Sequence, residues 1–258
     1  MALVQHQHGK SHVRVGRVWR RGNVHSFVEY DVTTMLESDM EHAFLTSSNV
    51  DMVATDTQKN VVYYVAKQMK EPCSPEEFGV ALARHFVSKH KRVFKAKIFV
   101  EMQPWVRTSV GGQPHNHGFT STGGGVRTAR VTFDDKGNTT VEGGVRGLKV
   151  LKTTQSGYAG FARDAYTMLK DTHERCVATV IDASWAFSSP PACYDRAFDD
   201  AQTAMLEAFF GPPTKGVFSP SVQFTLHQMA MSVLDWCEEV ALREVGRHDE
   251  DGLGCLLN

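Results

Sequence analysis

A disulfide pattern, an excess of one charge and a membrane-length apolar run are all missing from this chain of 258 residues. Its cysteines, Cys73, Cys176, Cys193, Cys237 and Cys255, are odd in number, scattered, and nowhere spaced as CxxC. That pattern fits reduced thiols in an intracellular compartment rather than a disulfide framework. The formal net charge is -1, so there is no basic footprint for nucleic acid. No apolar run reaches the roughly 20 residues of a membrane-spanning helix. The N-terminal MALVQHQHGKSH lacks an apolar signal core, which argues against export. No GxGxxG follows a strand and no GxxxxGK motif occurs, so neither a Rossmann domain nor a P-loop is supported. What is present is enough chain for one large or two small domains, with ordinary apolar and charged fractions.

Periodicity supplies the organisation. His12 to Arg20 alternates, Arg21-Gly22-Asn23 signals a turn, and Val24 to Leu36 alternates again, which predicts a long hairpin. Val61 to Val65 reads as an extended segment or a helix start. Ser74-Pro75-Glu76-Glu77 predicts a helix with a capping box, carrying Phe78, Leu82, Phe86 and Val87 on one stripe. Lys95 to Arg107 reads as a strand, Val110 to Gly118 as a loop, and Val126 to Phe133 as a strand. The second half repeats the order. A strand runs through about Lys152 and another from Cys176 to Phe187. A helix follows over Asp195 to Phe210, then one opened by Ser219-Pro220 and reaching about Val240. Strand pair, helices, strand pair, followed by the same again, predicts a duplicated α+β unit with long antiparallel strands and helices on one face.

The richest stretch runs from Leu148 to Arg175, LKVLKTTQSGYAGFARDAYTMLKDTHER. It opens as a strand through Leu151-Lys152-Thr153-Thr154 and passes the polar turn Gln155-Ser156-Gly157. It then sets Tyr158, Phe161, Tyr166 and Leu169 at spacings a helix or compact loop could bury, and ends on Arg175. An aromatic face and a guanidinium fork from one segment are what a flat, carbonyl-rich heterocycle requires: the ring stacks, and the fork gives paired hydrogen bonds. The same residues also fit a plainer reading, with Tyr158 and Phe161 in a core and Arg175 on a surface strand. His115 and His117, two apart on a strand, share a face and could ligate a metal. No third or fourth ligand is signalled nearby, so a metal-free loop is the reading adopted.

Taken in order, these motifs resemble the urate oxidase (uricase) family from about Gly9 to Gln223 and beyond. The Leu148–Arg175 stretch is similar to the family signature, and Val53 to Asn60 (VATDTQKN) to its threonine-aspartate motif. Gly9-Lys10, ahead of an alternating strand, resembles the family's lysine. Ser219 to Gln223 (SPSVQ) resembles its glutamine motif, and His115 to Phe119 (HNHGF) its His-x-His loop. The resemblance implies a tunnelling fold of two tandem ββααββ units, here over 9–137 and 138–240, in chains that assemble into a homotetrameric barrel. It also implies oxidation of urate by O2 to 5-hydroxyisourate and hydrogen peroxide without a cofactor or metal, in the peroxisome. By the same resemblance Arg175 and Gln223 clamp the purine edges, the Val222 amide adds a donor, and Tyr158, a phenylalanine in the family, stacks under the ring. Lys10 and Thr55 form a proton relay, with Thr55 and Asp56 reaching into a neighbouring subunit's pocket. Taken singly, Lys10 is also an ordinary exposed terminal lysine, and Thr55-Asp56 an ordinary helix cap.

The end of the chain departs from the family. The late Asn-x-His motif has its nearest counterpart at Arg247-His248, with Gly246 where the asparagine belongs and Val245 where a proline belongs. Gly246 cannot donate a side-chain hydrogen bond. The expectation is therefore an atypical or truncated tail over 241–258, an incomplete last strand pair, and His248 as stand-in for the relay histidine. Leu256-Leu257-Asn258 is not an SKL-type address. Two rival readings stay open: a catalytically impaired uricase-like subunit that binds purine or joins active subunits without turnover, and a purine or pterin enzyme with a metal on His115 and His117.

Overall fold

The alternating stretches on either side of Gly22 pair as β1 (His8–Arg21) and β2 (Val24–Ser38), an antiparallel hairpin closed where Arg21 faces Val24. Gly22 takes φ +57°, the left-handed conformation that a two-residue hairpin turn demands. The computed structural model describes residues 3–236, 240–247 and 254–255, those beyond Val240 by their backbone course alone. The chain divides into two units, Met1–Gly143 and Gly144–Asn258.

In the first unit the sheet order is β1-β2-β3-β6, with β3 (Val93–Met102) and β6 (Val126–Asp134), all neighbours antiparallel. Every second residue of β2 from Val28 to Leu36 is buried, as a sheet with one covered face requires. The cover is α2 (Thr55–Gln68), packed on β1, and α3 (Pro75–Lys89), packed on β3 and β6. A short α1 (Glu41–Leu45) precedes them. Ser74 and Glu77 form the predicted capping box, each side chain accepting from the other's backbone N–H. Phe78, Leu82 and Phe86 point inward, and Phe78 stacks on Tyr30 with ring centroids 4.9 Å apart. Burying a side chain such as Phe86 is worth about 1.5–3 kcal/mol.

In this unit one open alternative is decided and one reading changes. Val61 to Val65 lies inside α2, the helical of its two alternatives. Gln58, Val62, Val65 and Ala66 fall on one helical face, and that 3.6-residue spacing outweighs the β-branched composition. The expected loop at Val110 to Gly118 is instead mostly strand: β4 (Trp105–Val110) and β5 (Gln113–Ser121) form a separate hairpin. Gly111 and Gly112, at φ +60° and +78°, make its two-residue turn, so the glycines of the expected loop build a tight connection. Pro104 separates β3 from β4, which the Lys95 to Arg107 reading had merged.

The second unit repeats the order with β7 (Thr139–Lys152), β8 (Val177–Phe187), α4 (Tyr194–Phe210), α5 (Val222–Trp236), β9 (Val240–Arg247) and β10 (Gly254–Cys255), and its sheet runs β7-β8-β9-β10. Val150, Ile181, Trp185, Met205, Phe209 and Met229 form its core. The stretch expected as an atypical tail begins with a strand. β9 pairs antiparallel with β8 from Phe187 opposite Val240 to Ile181 opposite Arg247, and Gly246 and Val245 in turn face Gly254 and Cys255. Val240-Ala241-Leu242 suits a strand, and the pairing covers an edge that β8 would otherwise leave open. His248 lies outside the described residues. Among the described residues no helix is long and apolar enough to cross a membrane.

Glu29 links the β1–β2 hairpin to β4. It accepts from Arg14 Nε at 3.1 Å and from Trp105 Nε1 at 2.8 Å. The bond from Arg14, then that from Trp105, holds its carboxyl below the usual carboxylate range. A depressed carboxylate stabilises the fold fully above its unfolded pKa, near 4.5, and loses that contribution as pH falls through the lower folded value. Unfolding measured between neutral and acid pH should therefore show stability dropping below about pH 4.5, with a shallower drop in Glu29→Gln. An unchanged slope in that variant would contradict the assignment.

Candidate active site

Three stretches far apart in sequence are stitched together in the second unit. Ser219 N–H donates to the Gln155 carbonyl and Gly157 N–H to the Ser219 carbonyl, both at 2.9 Å. Arg175 N–H donates to the Ser156 carbonyl at 2.9 Å, and Tyr158 and Thr172 exchange a pair of bonds at 2.7 and 2.9 Å. The close approach leaves no room at Gly157: a Cβ there would stand 2.9 Å from both Phe218 Cζ and the Thr172 carbonyl oxygen. The ladder brings the Arg175 guanidinium over the Tyr158 ring, 5.5 Å from its centroid. Phe161 stacks on Tyr158 at 4.8 Å and 7°, closing one face of that ring. Arg163 lies over Phe161 at 4.6 Å and is held by Leu169 O and Asp171.

The ladder also fixes the start of α5. Ser219 is committed to it, so the helix begins later than Ser219-Pro220 suggested. Ser221 is the cap, its hydroxyl accepting from Phe224 N–H at 3.1 Å. Val222 and Gln223 are the first helical residues, at the positive end of the α5 dipole, where backbone N–H groups face outward. Gln223 is exposed and Arg175 half-buried. The Arg175 Nε is buried and has no hydrogen-bond acceptor among the described residues. A buried donor without an acceptor is costly, and a carbonyl-bearing ligand would satisfy it. Beside the ladder Ser156, Thr179, Val222 and Thr225 line a narrow recess sized for about one water.

Lys10, Thr55 and Asp56 all belong to the first unit. Lys10 is the residue before a β-bulge in β1, where the register with β2 shifts and His12 takes φ +55°. Thr55 opens α2. Two fully buried polar side chains tie these places together: Thr34 Oγ1 donates to Gln58 Oε1 at 2.7 Å and lies 3.4 Å from the Lys10 carbonyl, while Gln58 Nε2 donates to the Val53 carbonyl at 3.3 Å. His8 Nε2 reaches the same Val53 carbonyl at 2.8 Å. Asp56 accepts from Lys59 Nζ at 2.7 Å and Asn60 Nδ2 at 2.9 Å. The Lys59 bond, then its charge, and to a lesser degree Asn60 and the charge of Lys10, hold the Asp56 carboxyl low. Lys10, Thr55 and Asp56 are all exposed in the single chain.

A family model described as Uricase matches residues 6–132 and 141–245. The chain belongs to the uricase family. Similar relatives include Uricase-2 isozyme 1 of Glycine max, 42% identical over 246 residues that cover 92% of this chain and 79% of the relative. A uricase of Arabidopsis thaliana is 41% identical over 238 residues, covering 88% and 77%. Among solved structures, the uricase from Arthrobacter globiformis superimposes with a TM-score of 0.85 at 31% identity, covering 96% of this chain and 81% of that one. The fold of this uricase-family chain is thus the expected α+β tunnelling fold.

Of the expected site residues, Tyr158, Arg175, Val222 and Gln223 belong to the second unit, and Lys10, Thr55 and Asp56 to the first. The expected burial of Tyr166 and Leu169 does not occur: they are 89% and 51% exposed, and Met168 is 92% exposed. The segment is irregular because Asp164 and Thr167 hold a local turn, with Tyr166 N–H donating to Asp164 and Asp164 N–H to Thr167. His115 and His117 stand in the β4–β5 hairpin with ring centroids 4.7 Å apart, and no group of three or more potential ligands occurs among the described residues. Sequence reasoning missed Thr34 and Gln58. The available signal was a polar residue on the inward face of each of two otherwise apolar elements.

Gly9 sets how closely Lys10 lies on β2. A Cβ there would stand 2.0 Å from the Thr34 carbonyl oxygen and 2.3 Å from Met35 Sδ. Gly9→Ala should cost about 1–3 kcal/mol in denaturant unfolding. Unchanged stability would contradict this packing.

Proposed function

We propose that this chain is a urate oxidase. It converts urate, O2 and water to 5-hydroxyisourate and hydrogen peroxide in purine breakdown, with neither cofactor nor metal. The observation that carries the reading is the second unit's ladder. In a uricase-family chain it ties an aromatic ring, a guanidinium over that ring with an unsatisfied buried donor, and the approach to a helix start into one hydrogen-bonded set.

Urate presents a π face, carbonyl oxygens and ring N–H groups, and each has a counterpart. The Arg175 fork takes a carbonyl and ring-nitrogen edge, and its free Nε proton gains an acceptor there. Gln223 reads the opposite edge, since one amide both donates and accepts. The Val222 N–H supplies a further donor at the helix start, where negative charge is favoured. The ring lies on the face of Tyr158 that Phe161 leaves open.

Lys10 and Thr55 do the proton work. Taking a further proton from the urate anion makes an electron-rich dianion that can pass electrons to O2 directly. A lysine serves as base near neutral pH only when burial lowers its pKa. Lys10 and Thr55 are exposed in one chain, so their cover comes from another copy. The exposed Tyr166, Met168 and Leu169 give such a copy apolar surface to bury. We therefore read the active form as a homotetramer with sites shared between subunits, with Asp56 beside Thr55 at the shared boundary. By the same family reading it works in the peroxisome, and His248 stands for the relay histidine.

The test is loss of urate absorbance together with peroxide production by the purified protein. Lys10→Ala and Arg175→Ala should each lower kcat/KM by about 100-fold or more. Urate binding with no turnover in the unaltered protein would favour the impaired-subunit reading. Full activity in either variant would refute the assigned roles.

A further inference from the structure

Beneath the ladder lies a buried lysine to which the reaction assigns no part. Lys152 ends β7 with 8% of its surface exposed. Its Nζ donates to the Phe209 carbonyl at 3.0 Å, the Val217 carbonyl at 2.8 Å and Ser219 Oγ at 2.8 Å. An ammonium has three protons, and all three go to neutral oxygens. Taking a charge out of water without an opposite charge beside it is costly, and burial pushes the Lys152 pKa down. An apolar side chain of similar length would fill the same space without that cost. Retaining the lysine therefore calls for something its three bonds provide.

Those bonds end where the purine half-site is built. Phe209 lies in the last turn of α4, whose negative dipole end suits a cation. Val217 and Ser219 belong to the loop between α4 and α5. Ser219 Oγ also accepts from Thr225 Oγ1 at 2.8 Å, one turn inside α5. Through its backbone, the same Ser219 is the middle rung between Gln155 and Gly157. One ammonium thus joins the β7 end, the α4 end and the residue from which both the Tyr158–Arg175 ladder and the α5 start are hung.

We propose that Lys152 is a positioning residue of the purine clamp, acting through Ser219 to hold the Arg175 edge and the Val222–Gln223 edge at a fixed spacing. The inference rests on the urate-oxidase reading and extends it. Lys152 moves no proton and touches no substrate. Its loss loosens the grip on the purine and leaves the proton relay of the first unit unchanged.

The experiment measures urate affinity under anaerobic conditions, and kcat, KM and their pH dependence in air, for the full-length wild type, Lys152→Met and Ser219→Ala. Lys152→Met should raise Kd and KM by about tenfold and Ser219→Ala by roughly threefold, with saturated kcat within about threefold and the pKa values of the rate profile unmoved. A Lys152→Met chain that only lost thermal stability, with Kd and KM within twofold of wild type, would overturn the proposal. If Lys152→Met does not fold, Ser219→Ala decides alone by the same criterion. A wild type that binds no urate would overturn the functional reading, and this one with it. A wild type that binds urate, with variants equal to it, overturns only the role of Lys152.

Discussion

The second unit depends on a short backbone ladder in which Ser219 is the central rung. Gln155 to Tyr158, Thr172 to Arg175 and the approach to α5 are separated by long intervals of chain, yet exchange hydrogen bonds of 2.7–2.9 Å. Backbone bonds fix geometry more tightly than side-chain contacts, because each constrains a peptide plane and not a rotatable chain. The irregular loop between Tyr158 and Thr172 is tolerated because its two ends are clamped to each other. Arg175 is held through its own N–H, so its guanidinium has a defined origin. α5 is held through Ser219, so its first-turn amides have a defined direction. Everything proposed about purine recognition follows from those two anchors.

The first unit solves a different problem with the same means. Lys10 and Thr55 sit on separate elements, and buried Thr34 and Gln58 bridge them from below. Gly9 lets β1 approach β2 without a side chain in the way. Lys10, Thr55 and Asp56 stay exposed beside that buried pair. Under the proposed function, a base that must be desolvated and a clamp that must enclose a ring both require a second surface. Self-assembly, as proposed, supplies it without any new chemistry, which is why that function carries an oligomer with it.

Much of this was legible in the sequence, for identifiable reasons. The hairpin at Gly22 and the helix at Ser74-Pro75 were plain, because turn chemistry and a capping box are local signals. Arg175 and Tyr158 stood out because an aromatic and an arginine in one polar, irregular segment suit a planar ligand. Val61 to Val65 leaves extended and helical readings open, because β-branched composition and helical spacing compete there, and it is helical, as cover for the sheet. Other elements were misread where a tertiary demand overrode the local one. Ser219-Pro220 mimics Ser74-Pro75, but Ser219 serves the ladder and Lys152, and Ser221 caps instead. The strand at Val240–Arg247 went unseen because the family's late motif is altered there, although its pairing to β8 needs only backbone groups. Lys152 looked like one more strand residue, since nothing local distinguishes a buried lysine from an exposed one.

The central claim is that the ladder presents a clamp for a planar oxopurine. Crystals grown and soaked with urate under anaerobic conditions test it most directly. The account predicts urate lying parallel to the Tyr158 ring, one edge on the Arg175 guanidinium and the other on the Gln223 amide and Val222 N–H. An empty position there at saturating urate, or urate bound away from Arg175 and Gln223, would contradict it.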